Sequence, residues 1–319
     1  MQLGQHPPPR HVVAHLSDPH LLAGGRLQYG RVDTEGNLRR ALDRLAGLDP
    51  APQALVFTGD LADRAEPAAY ARLRALVEPA AAALGAEVVW TMGNHDERHA
   101  YADALFDEHD GGARPQDRVH DVDGLRIVAL DTSVPGYHHG ELEPAQLAWL
   151  ADVLATPAPH GTLLAMHHPP LPVPMLRAAE IIELLDQPAL AEVVAGTDVR
   201  GVLGGHLHLT TWSTFAGVPV SVASATCYTS DPAPVDRFVS GVDGHAAFTM
   251  LHLYDDRLVH TLVPVAAAPE LHGYPADVVA QLEALSVDER RDLLSRKDSP
   301  FNADEEAASA GEPHGTWPP

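Results

Sequence analysis

The 319-residue chain has very little cysteine and no long apolar runs. Its one cysteine, Cys227, excludes an intrachain disulfide, which fits a reducing compartment. No apolar run approaches the roughly 18–20 residues that a membrane-spanning helix needs. The first ten residues are polar and proline-rich, without the apolar segment of a signal peptide. We therefore expect a cytoplasmic protein with no integral membrane association.

Positive charge is also scarce. The chain has 21 lysines and arginines against 44 acidic residues, which gives a net charge of −23. We find no basic cluster able to neutralise several phosphates, so the composition argues against a nucleic-acid-binding protein. An anionic small molecule would need cations bound at its site. With 45% hydrophobic and 20% charged residues, the chain is expected to be globular.

The order of apolar segments predicts an α/β fold. Strands and helices alternate in the first half and strands dominate the second, which favours two packed sheets with helices outside. The predicted strands are 11–17, 54–57, 87–91, 118–122, 125–130, 162–166, 199–203, 210–215, 218–223, 246–254 and 258–263. The predicted helices begin at Asp33, Pro67, Glu97 and Pro144, fill about 178–195, and include two short ones near the C-terminus.

The same pattern divides the chain into four parts. We expect a flexible N-terminus over 1–10, a main domain over 11–265 and a helical extension over 266–298. The remaining segment, 299–319, is small, acidic and proline-containing, which predicts a disordered tail.

Ligand-type side chains follow five of the predicted strands. Clefts in folds of this kind lie beyond the carboxyl ends of the strands, so these side chains are expected to meet there. The central stretch is a Gly-Asn-His-Asp turn just after the apolar run 87–90. The five stretches are Asp18-Pro19-His20, Gly59-Asp60, Gly93-Asn94-His95-Asp96, Met166-His167-His168 and Gly205-His206-Leu207-His208.

These side chains predict a pair of metal ions. Two four-coordinate ions need eight ligands, and seven candidates suffice if the Asp60 carboxylate bridges both ions. Carboxylates mixed with imidazoles suit Mn, Fe or Zn better than Ca or Mg. Two ions about 3.5–4 Å apart would ionise a shared water and bind a phosphoryl group. The candidate ligands are Asp18, His20, Asp60, Asn94, His167, His206 and His208.

His95 and Asp63 are the predicted catalytic side chains. His95 follows a ligand directly and is itself uncoordinated, so it can protonate a departing oxygen as general acid. Asp63 is expected to hold the other imidazole nitrogen of His95 and favour its cationic form. The alternative is that Asp63 is a solvated loop acid beside Arg64.

Three other residues have two interpretations each. His138 and His139 lie in a loop that could overhang the cleft and contact substrate, or could be simply solvent-exposed. Cys227 is expected to be a buried small residue, because no base or helix start nearby would make its thiol reactive.

With these motifs in order, the chain resembles the calcineurin-like metallophosphoesterases over residues 11–265. It is most similar to the bacterial class III cyclic-nucleotide phosphodiesterases along 15–21, 57–63, 130–136 and 221–228. The resemblance implies a four-layer αββα sandwich of two mostly mixed sheets, often a homodimer. It also implies an iron and manganese pair, with zinc, cobalt or magnesium as alternatives.

The resemblance also assigns the ligands. It implies a first metal on Asp18, His20, Asp60 and His208, and a second on Asp60, Asn94, His167 and His206. His167 is thereby preferred over its neighbour His168. The substrate phosphate would contact His20, Asp60, Asn94, His95 and His208. Pro19 departs from the usual threonine or leucine, which should stiffen the loop and leave both flanking ligands intact.

The function implied is hydrolysis of 3′,5′-cyclic nucleotides such as cAMP to 5′-monophosphates, with a metal-bridging hydroxide as nucleophile and His95 as general acid. The alternative substrates are 2′,3′-cyclic nucleotides or other phosphoesters, because substrate choice would lie in loops such as 134–140 and 169–177. A third hypothesis is a non-catalytic scaffold that has kept the fold. Such a scaffold would be expected to have lost ligands, and this chain has lost none.

Overall fold

The computed structural model describes residues 4–109, 112, 114–234, 236–271, 273 and 277–302. The chain forms two compact units. The larger comprises Pro9–Ala267, and the smaller comprises Met1–Pro8 with Ala268–Pro319. None of the described helices is both long and apolar enough to cross a membrane.

The larger unit has an α/β architecture. Its helices are α1 Thr34–Ala46, α2 Pro67–Leu84, α3 Arg98–Phe106, α4 Pro144–Leu154 and α5 Gln187–Val194. Its strands are β1 His11–Leu16, β2 Ala54–Thr58, β3 Glu87–Thr91, β4 Arg118–Val122, β5 Leu125–Leu130, β6 Thr162–Met166, β7 Val199–Gly204, β8 Thr211–Phe215, β9 Val218–Val222, β10 Thr229–Ser230, β11 Gly241–Val242, β12 Ala247–Leu253 and β13 Leu258–Pro264.

The strands form two large mixed sheets. The first has the order β13-β12-β1-β2-β3. Strands β1, β2 and β3 pair in parallel, β12 pairs antiparallel with β1, and β13 pairs antiparallel with β12. The second has the order β4-β5-β6-β7-β9-β8, with parallel central strands and an antiparallel strand at each edge. The short strands β10 and β11 pair with each other.

Three buried apolar clusters show the layering. One joins α1, α2 and α3 to the outer face of the first sheet, for example Leu73 with Phe57. A second joins α4 and α5 to the outer face of the other sheet, for example Leu150 with Leu164. The third lies between the sheets and contains Val56. The four-layer αββα sandwich implied by the sequence is therefore confirmed.

Caps and turns explain several element boundaries, and the predicted helix starts at Asp33 and Pro67 are confirmed. The Asp33 side chain caps α1 by accepting the Gly36 N–H at 2.9 Å. Helix α2 begins at a proline and ends before Gly85, whose φ of 69° lies in the left-handed region that favours glycine. The β4–β5 hairpin turns at Asp123 and Gly124, both with positive φ.

The prediction of helix over 178–195 is wrong for its first half, since α5 covers only Gln187–Val194. Asp186 has a left-handed φ of 50° and Pro188 occupies the first turn, so the helix begins there. Upstream, Leu184 forms an isolated bridge with Gly140. Strands β10 and β11 were not predicted.

In the smaller unit, α6 covers Asp277–Ala284 and α7 covers Val287–Ser295. A capping box between Ser286 and Glu289 fixes the start of α7. The predicted tail lies outside the described residues from 303 onward, and the four domain boundaries stay predictions.

Candidate metal centre

The five motifs converge at the carboxyl ends of β1, β2, β3, β6 and β7, on one side of the sandwich. All seven predicted ligands lie in one cluster there. Most are buried, and Asn94 and His206 are half-buried. The exposure of the Asp18 side chain is 0% and that of Asp60 is 4%.

The first group is Asp18, His20, Asp60 and His208, whose candidate ligand atoms all lie within 4.8 Å of one another. His208 Nε2 is 3.3 Å from Asp18 Oδ1, and His20 Nε2 is 3.3 Å from Asp60 Oδ2. Asp18 Oδ1 is buried and has no hydrogen-bond donor among the described residues. A buried carboxylate oxygen without a donor, facing two imidazole nitrogens, fits a bound cation.

The second group faces the other oxygen of Asp60. His167 Nε2 lies 3.5 Å from Asp60 Oδ1, 3.0 Å from Asn94 Oδ1 and 3.2 Å from His206 Nδ1. The two oxygens of Asp60 therefore face different imidazole sets, as a bridging carboxylate requires. The donor set fits a pair of Mn-, Fe- or Zn-type ions.

Hydrogen bonds fix the orientation of each imidazole. The Nδ1 atoms of His167 and His208 bond to the carbonyls of Thr58 and Tyr228, at 2.8 and 3.0 Å. This leaves each Nε2 facing the cluster. His206 is oriented the other way, because its Nε2 bonds to a carbonyl of the loop before α5 and its Nδ1 faces the cluster. Metal-binding histidines usually have such a partner on the second nitrogen.

The charges of the carboxylates and imidazoles in the cluster influence one another. Burial tends to raise the pKa of Asp60, but the charges of and hydrogen bonds from His167 and His20 hold it well below its usual value. Burial likewise tends to lower the pKa of His167, yet the Asp60 charge raises it to about 9. Burial and the His167 charge lower the pKa of His206 to about 3, so that imidazole is a neutral ligand type. Carboxylates that hold protons on neighbouring imidazoles would attract cations to the same place.

The backbone at the cluster is unusual. Five of the predicted ligands adopt a left-handed φ between 43° and 70°, which is uncommon for residues other than glycine and clusters at functional sites. These five are Asp18, His20, Asp60, His206 and His208.

The glycines of the motifs are explained by close approach. A Cβ on Gly93 would lie 2.2 Å from the Asp60 nitrogen, and one on Gly59 would lie 2.5 Å from His167 Nδ1. A Cβ on Gly205 would lie 2.0 Å from Ser17 Oγ. Side chains at these positions would therefore displace the ligands.

Asp63 lies beside the other imidazole nitrogen of His95, but the atom that bonds to it is the backbone carbonyl oxygen and not a carboxylate oxygen. The carboxylate bonds to His20 Nδ1 at 3.0 Å and to the Gln28 amide at 2.8 Å, and its nearest distance to His95 Nδ1 is 4.0 Å. His95 Nδ1 instead donates to the Asp63 backbone carbonyl at 2.9 Å. The reason is that Leu21 bridges the loop after β2, which aligns Asp63 with the His20 segment.

Sequence reasoning missed Asp96, the last residue of the central motif. Its buried carboxylate accepts four hydrogen bonds of 2.7–3.1 Å that tie the turn after β3 to the turn after β2 and to α2. Burial and the Asp60 charge raise its pKa to about 6 against these bonds. The sequence did not indicate these hydrogen bonds, because an aspartate just before a helix is commonly a helix cap. The donors are the backbone nitrogens of Leu61, Ala62 and Gly93 and the hydroxyl of Tyr70.

The structure places His168 and the three residues with open interpretations, of which His139 has its Nε2 3.1 Å from Glu141 Oε1 and is not among the described residues that line the cleft. Both nitrogens of His168 are in hydrogen bonds, to Thr132 Oγ1 and to the His138 carbonyl, and its buried ring packs against the rings of His167 and His206. His138 lines the cleft, with its Nδ1 2.8 Å from the Asn94 amide nitrogen. Cys227 is buried, and burial raises the pKa of its thiol, which stays protonated.

The cluster forms the floor of a cleft with a cavity volume of about 220 Å³. Tyr29 and Tyr228 meet at its rim, with their hydroxyls 3.3 Å apart. None of the described residues that line it is lysine or arginine. One wall is apolar and consists of Met175, Leu176, Ala178, Ala179, Ile182, Pro234, Phe238 and Val239.

Comparisons with known proteins agree with this geometry. The family model for calcineurin-like phosphoesterases matches residues 11–209. A Mycobacterium tuberculosis protein named as a cAMP/cGMP dual specificity phosphodiesterase is 53% identical over 83% of this chain and 83% of its own length. A Rhodococcus erythropolis protein named as a probable cyclic nucleotide phosphodiesterase is 47% identical over 92% of this chain and 96% of its own.

A solved structure supports the fold alone. The purple acid phosphatase of yellow lupin superposes with a TM-score of 0.54 at 14% identity, over 80% of this chain and 51% of its own. This chain thus spans about half the length of that phosphatase. The matched family covers the segment that carries every motif of the cluster. The chain belongs to the calcineurin-like phosphoesterase family and is an enzyme that hydrolyses phosphoesters.

Proposed function

We propose that this enzyme hydrolyses 3′,5′-cyclic nucleotides, cAMP among them, to nucleoside 5′-monophosphates. The observation that carries the proposal is the position of Asp60, with one oxygen toward His20 and the other toward His167. The names of the Mycobacterium and Rhodococcus relatives support the substrate class.

The seven predicted ligands are proposed to hold two ions, iron and manganese first, with zinc, cobalt or magnesium as alternatives. Bound there, the pair would supply an ionised water and a clamp for the phosphoryl oxygens. His20, Asp60, Asn94, His95 and His208 line the cleft floor, so they are proposed to contact the phosphate.

His95 is proposed to protonate the leaving 3′-oxygen. Its Nδ1 donates to the Asp63 carbonyl, so Nε2 is the nitrogen that holds the transferable proton. The Asp63 carboxylate lies 4.0 Å from the same Nδ1. Asp63 therefore contributes through its backbone and through the orientation of His20.

The cleft favours a diester over a monoester. A cyclic phosphodiester carries one negative charge, whereas a monoester carries nearly two at neutral pH. With no lysine or arginine among the described lining residues, only the metal centre neutralises the substrate. The apolar wall gives the nucleoside a surface to pack against. A homodimer in the cytoplasm is the proposed setting.

The test combines metal analysis with turnover of 3′,5′-cAMP, 2′,3′-cAMP and an aryl phosphodiester. We expect two ions per chain and turnover of 3′,5′-cAMP. His95→Ala should lower kcat by about 10²–10⁴-fold with unchanged metal content, since it removes only the acid. His99→Ala, an exposed histidine on α3, is the matched control and should leave kcat unchanged.

Each other outcome selects another hypothesis. Turnover of the aryl ester with neither cyclic nucleotide would reject the cyclic-nucleotide proposal, and preference for 2′,3′-cAMP would favour the alternative substrate. Activity that is untouched by His95→Ala would remove the proposed acid.

A further inference from the structure

A chain of buried hydroxyls runs from the candidate metal centre into the space between the two sheets. Ser17 Oγ lies 2.5 Å from Asp18 Oδ2, Thr58 Oγ1 lies 2.8 Å from Ser17 Oγ, and His15 Nε2 lies 2.9 Å from Thr58 Oγ1. The exposed fraction of each of these four residues is 0%. The chain therefore connects a predicted ligand to a histidine three residues upstream, on the inner face of β1.

The carboxylate sets the direction of every bond in this chain. The contact of 2.5 Å between Ser17 Oγ and Asp18 Oδ2 has the hydroxyl as donor, because a carboxylate oxygen accepts. Ser17 must then donate to Asp18, and its free lone pairs accept from Thr58. Thr58 has thereby used its proton, so it accepts from His15, which must carry its proton on Nε2.

The imidazole of His15 is held neutral. Burial lowers its pKa to about 3, assisted by the His260 imidazole. Its Nδ1 is buried without a hydrogen-bond donor among the described residues. Thr249 pairs with His15 between β12 and β1, and its hydroxyl oxygen is also buried without a hydrogen-bond partner among the described residues. A histidine buried in an apolar layer and satisfied on one side only has a destabilising cost that calls for an explanation.

The cost is explained if His15 serves the metal centre. We propose that His15 is a positioning residue for Asp18, acting through Thr58 and Ser17 to keep Oδ1 of the carboxylate turned toward the first metal site. Oδ2 accepts the Ser17 hydroxyl at 2.5 Å and the His206 N–H at 3.1 Å, which fixes the plane of the carboxylate. Oδ1 is left for the cation, beside His208 Nε2. This inference rests on the proposed role of Asp18 as a ligand.

The test measures metal affinity, not turnover. Metal-stripped protein is titrated with Mn²⁺, and free Mn²⁺ is followed by electron paramagnetic resonance. His15→Leu and Thr58→Val, which remove one member of the chain each, should weaken one of two sites by about 10–100-fold and leave the other unchanged. His15→Gln, which keeps an N–H near the position of Nε2, should restore the affinity to within about threefold of the wild type.

A double-mutant cycle separates a relay from a general loss of packing. If the chain acts as one unit, His15→Leu should have no further effect on Mn²⁺ affinity in a Ser17→Ala background. Additive losses would mean that His15 acts on stability alone. His252→Leu, at a half-buried histidine on β12 outside the chain, is the matched control.

The tautomer gives a second readout that does not depend on the metal. Nitrogen-15 spectra of labelled protein should show the His15 ring as neutral with its proton on Nε2 between pH 5 and 8. A proton on Nδ1 would overturn the proposal, as would full affinity in both His15→Leu and Thr58→Val. If the wild type itself binds fewer than two ions, the proposed function fails first; if it binds two and the variants match it, only this inference fails.

Discussion

At the residue scale, the least predictable feature is the backbone of the ligands. A sequence can show that Asp18 and His20 have metal-ligand spacing, but it cannot show that both adopt a left-handed φ. That conformation costs about 1–3 kcal/mol for a residue other than glycine. The motif glycines were visible in the sequence. Why each position needs a glycine becomes clear only from the atoms that its backbone approaches.

Gly93→Ala tests this close approach. The new Cβ would lie 2.2 Å from both the nitrogen and Oδ1 of Asp60, so the bridging carboxylate must shift. We expect the metal content to fall below two ions per chain and the free energy of unfolding to fall by about 1–3 kcal/mol. Metal analysis and thermal unfolding measure the two effects.

Gly47→Ala is the matched control. Gly47 ends α1 with a φ of −97°, and a Cβ there would meet only the Arg44 carbonyl oxygen at 3.7 Å, an ordinary contact. It should bind metal like the wild type. A Gly93→Ala protein with two ions and an unchanged melting temperature would contradict this account of the motif glycine.

At the scale of elements, prediction succeeded where a local capping signal coincides with an apolar face that packs in the core. Helix α1 has both an Asp33 cap and an apolar face, and α2 has a proline at its start and a glycine at its end. The prediction of helix failed over 178–186. This apolar segment lines the cleft, and Leu184 forms an isolated β-bridge with Gly140. The partner of Asp63 was also missed, because it depends on how two loops align.

Asp117 offers a pH test of how elements are joined. It precedes β4 and accepts bonds from the Asp131 nitrogen and from Gln146 of α4, at 2.9 and 3.0 Å. Burial raises its pKa to about 6, so the folded protein keeps a proton that the unfolded chain loses near pH 4. Its contribution to stability therefore decreases as the pH rises from about 4 to about 6, by up to about 3 kcal/mol.

Asp117→Asn removes this proton. Relative to the wild type, the variant should gain stability between pH 4 and pH 6 and show a constant difference above pH 7. Urea unfolding at several pH values measures the difference, and any lost hydrogen bond adds only an offset that is independent of pH. Parallel curves for the two proteins across the whole range would show that the carboxyl titrates normally.

At the scale of the whole molecule, the sequence predicted the layers because the family motifs and the periodicity point to the same sandwich. The sequence did not predict the order of strands within each sheet, because β1 pairs with β12, a strand far away in the sequence. Net charge is the other global property, and the value of −23 comes from the sequence alone. It has a kinetic consequence for an anionic substrate.

The long-range field of this protein should repel a cyclic nucleotide even though its metal centre attracts the phosphate. Raising the ionic strength from about 0.01 to about 0.15 M shortens the Debye length from about 30 to about 8 Å. Distant acidic residues are then screened, whereas the centre, in contact with the phosphate, is not. We expect kcat/KM for cAMP to rise severalfold with KCl, while kcat at saturation stays constant.

Sucrose at matched osmolality is the control, because it changes viscosity and water activity without screening charge. A rise in kcat/KM with KCl alone identifies the net charge as the cause. A fall with KCl would mean that attraction at the cleft extends beyond contact range and outweighs the acidic surface. In that case the bound cations would attract the substrate from a distance, although none of the described residues that line the cleft is lysine or arginine.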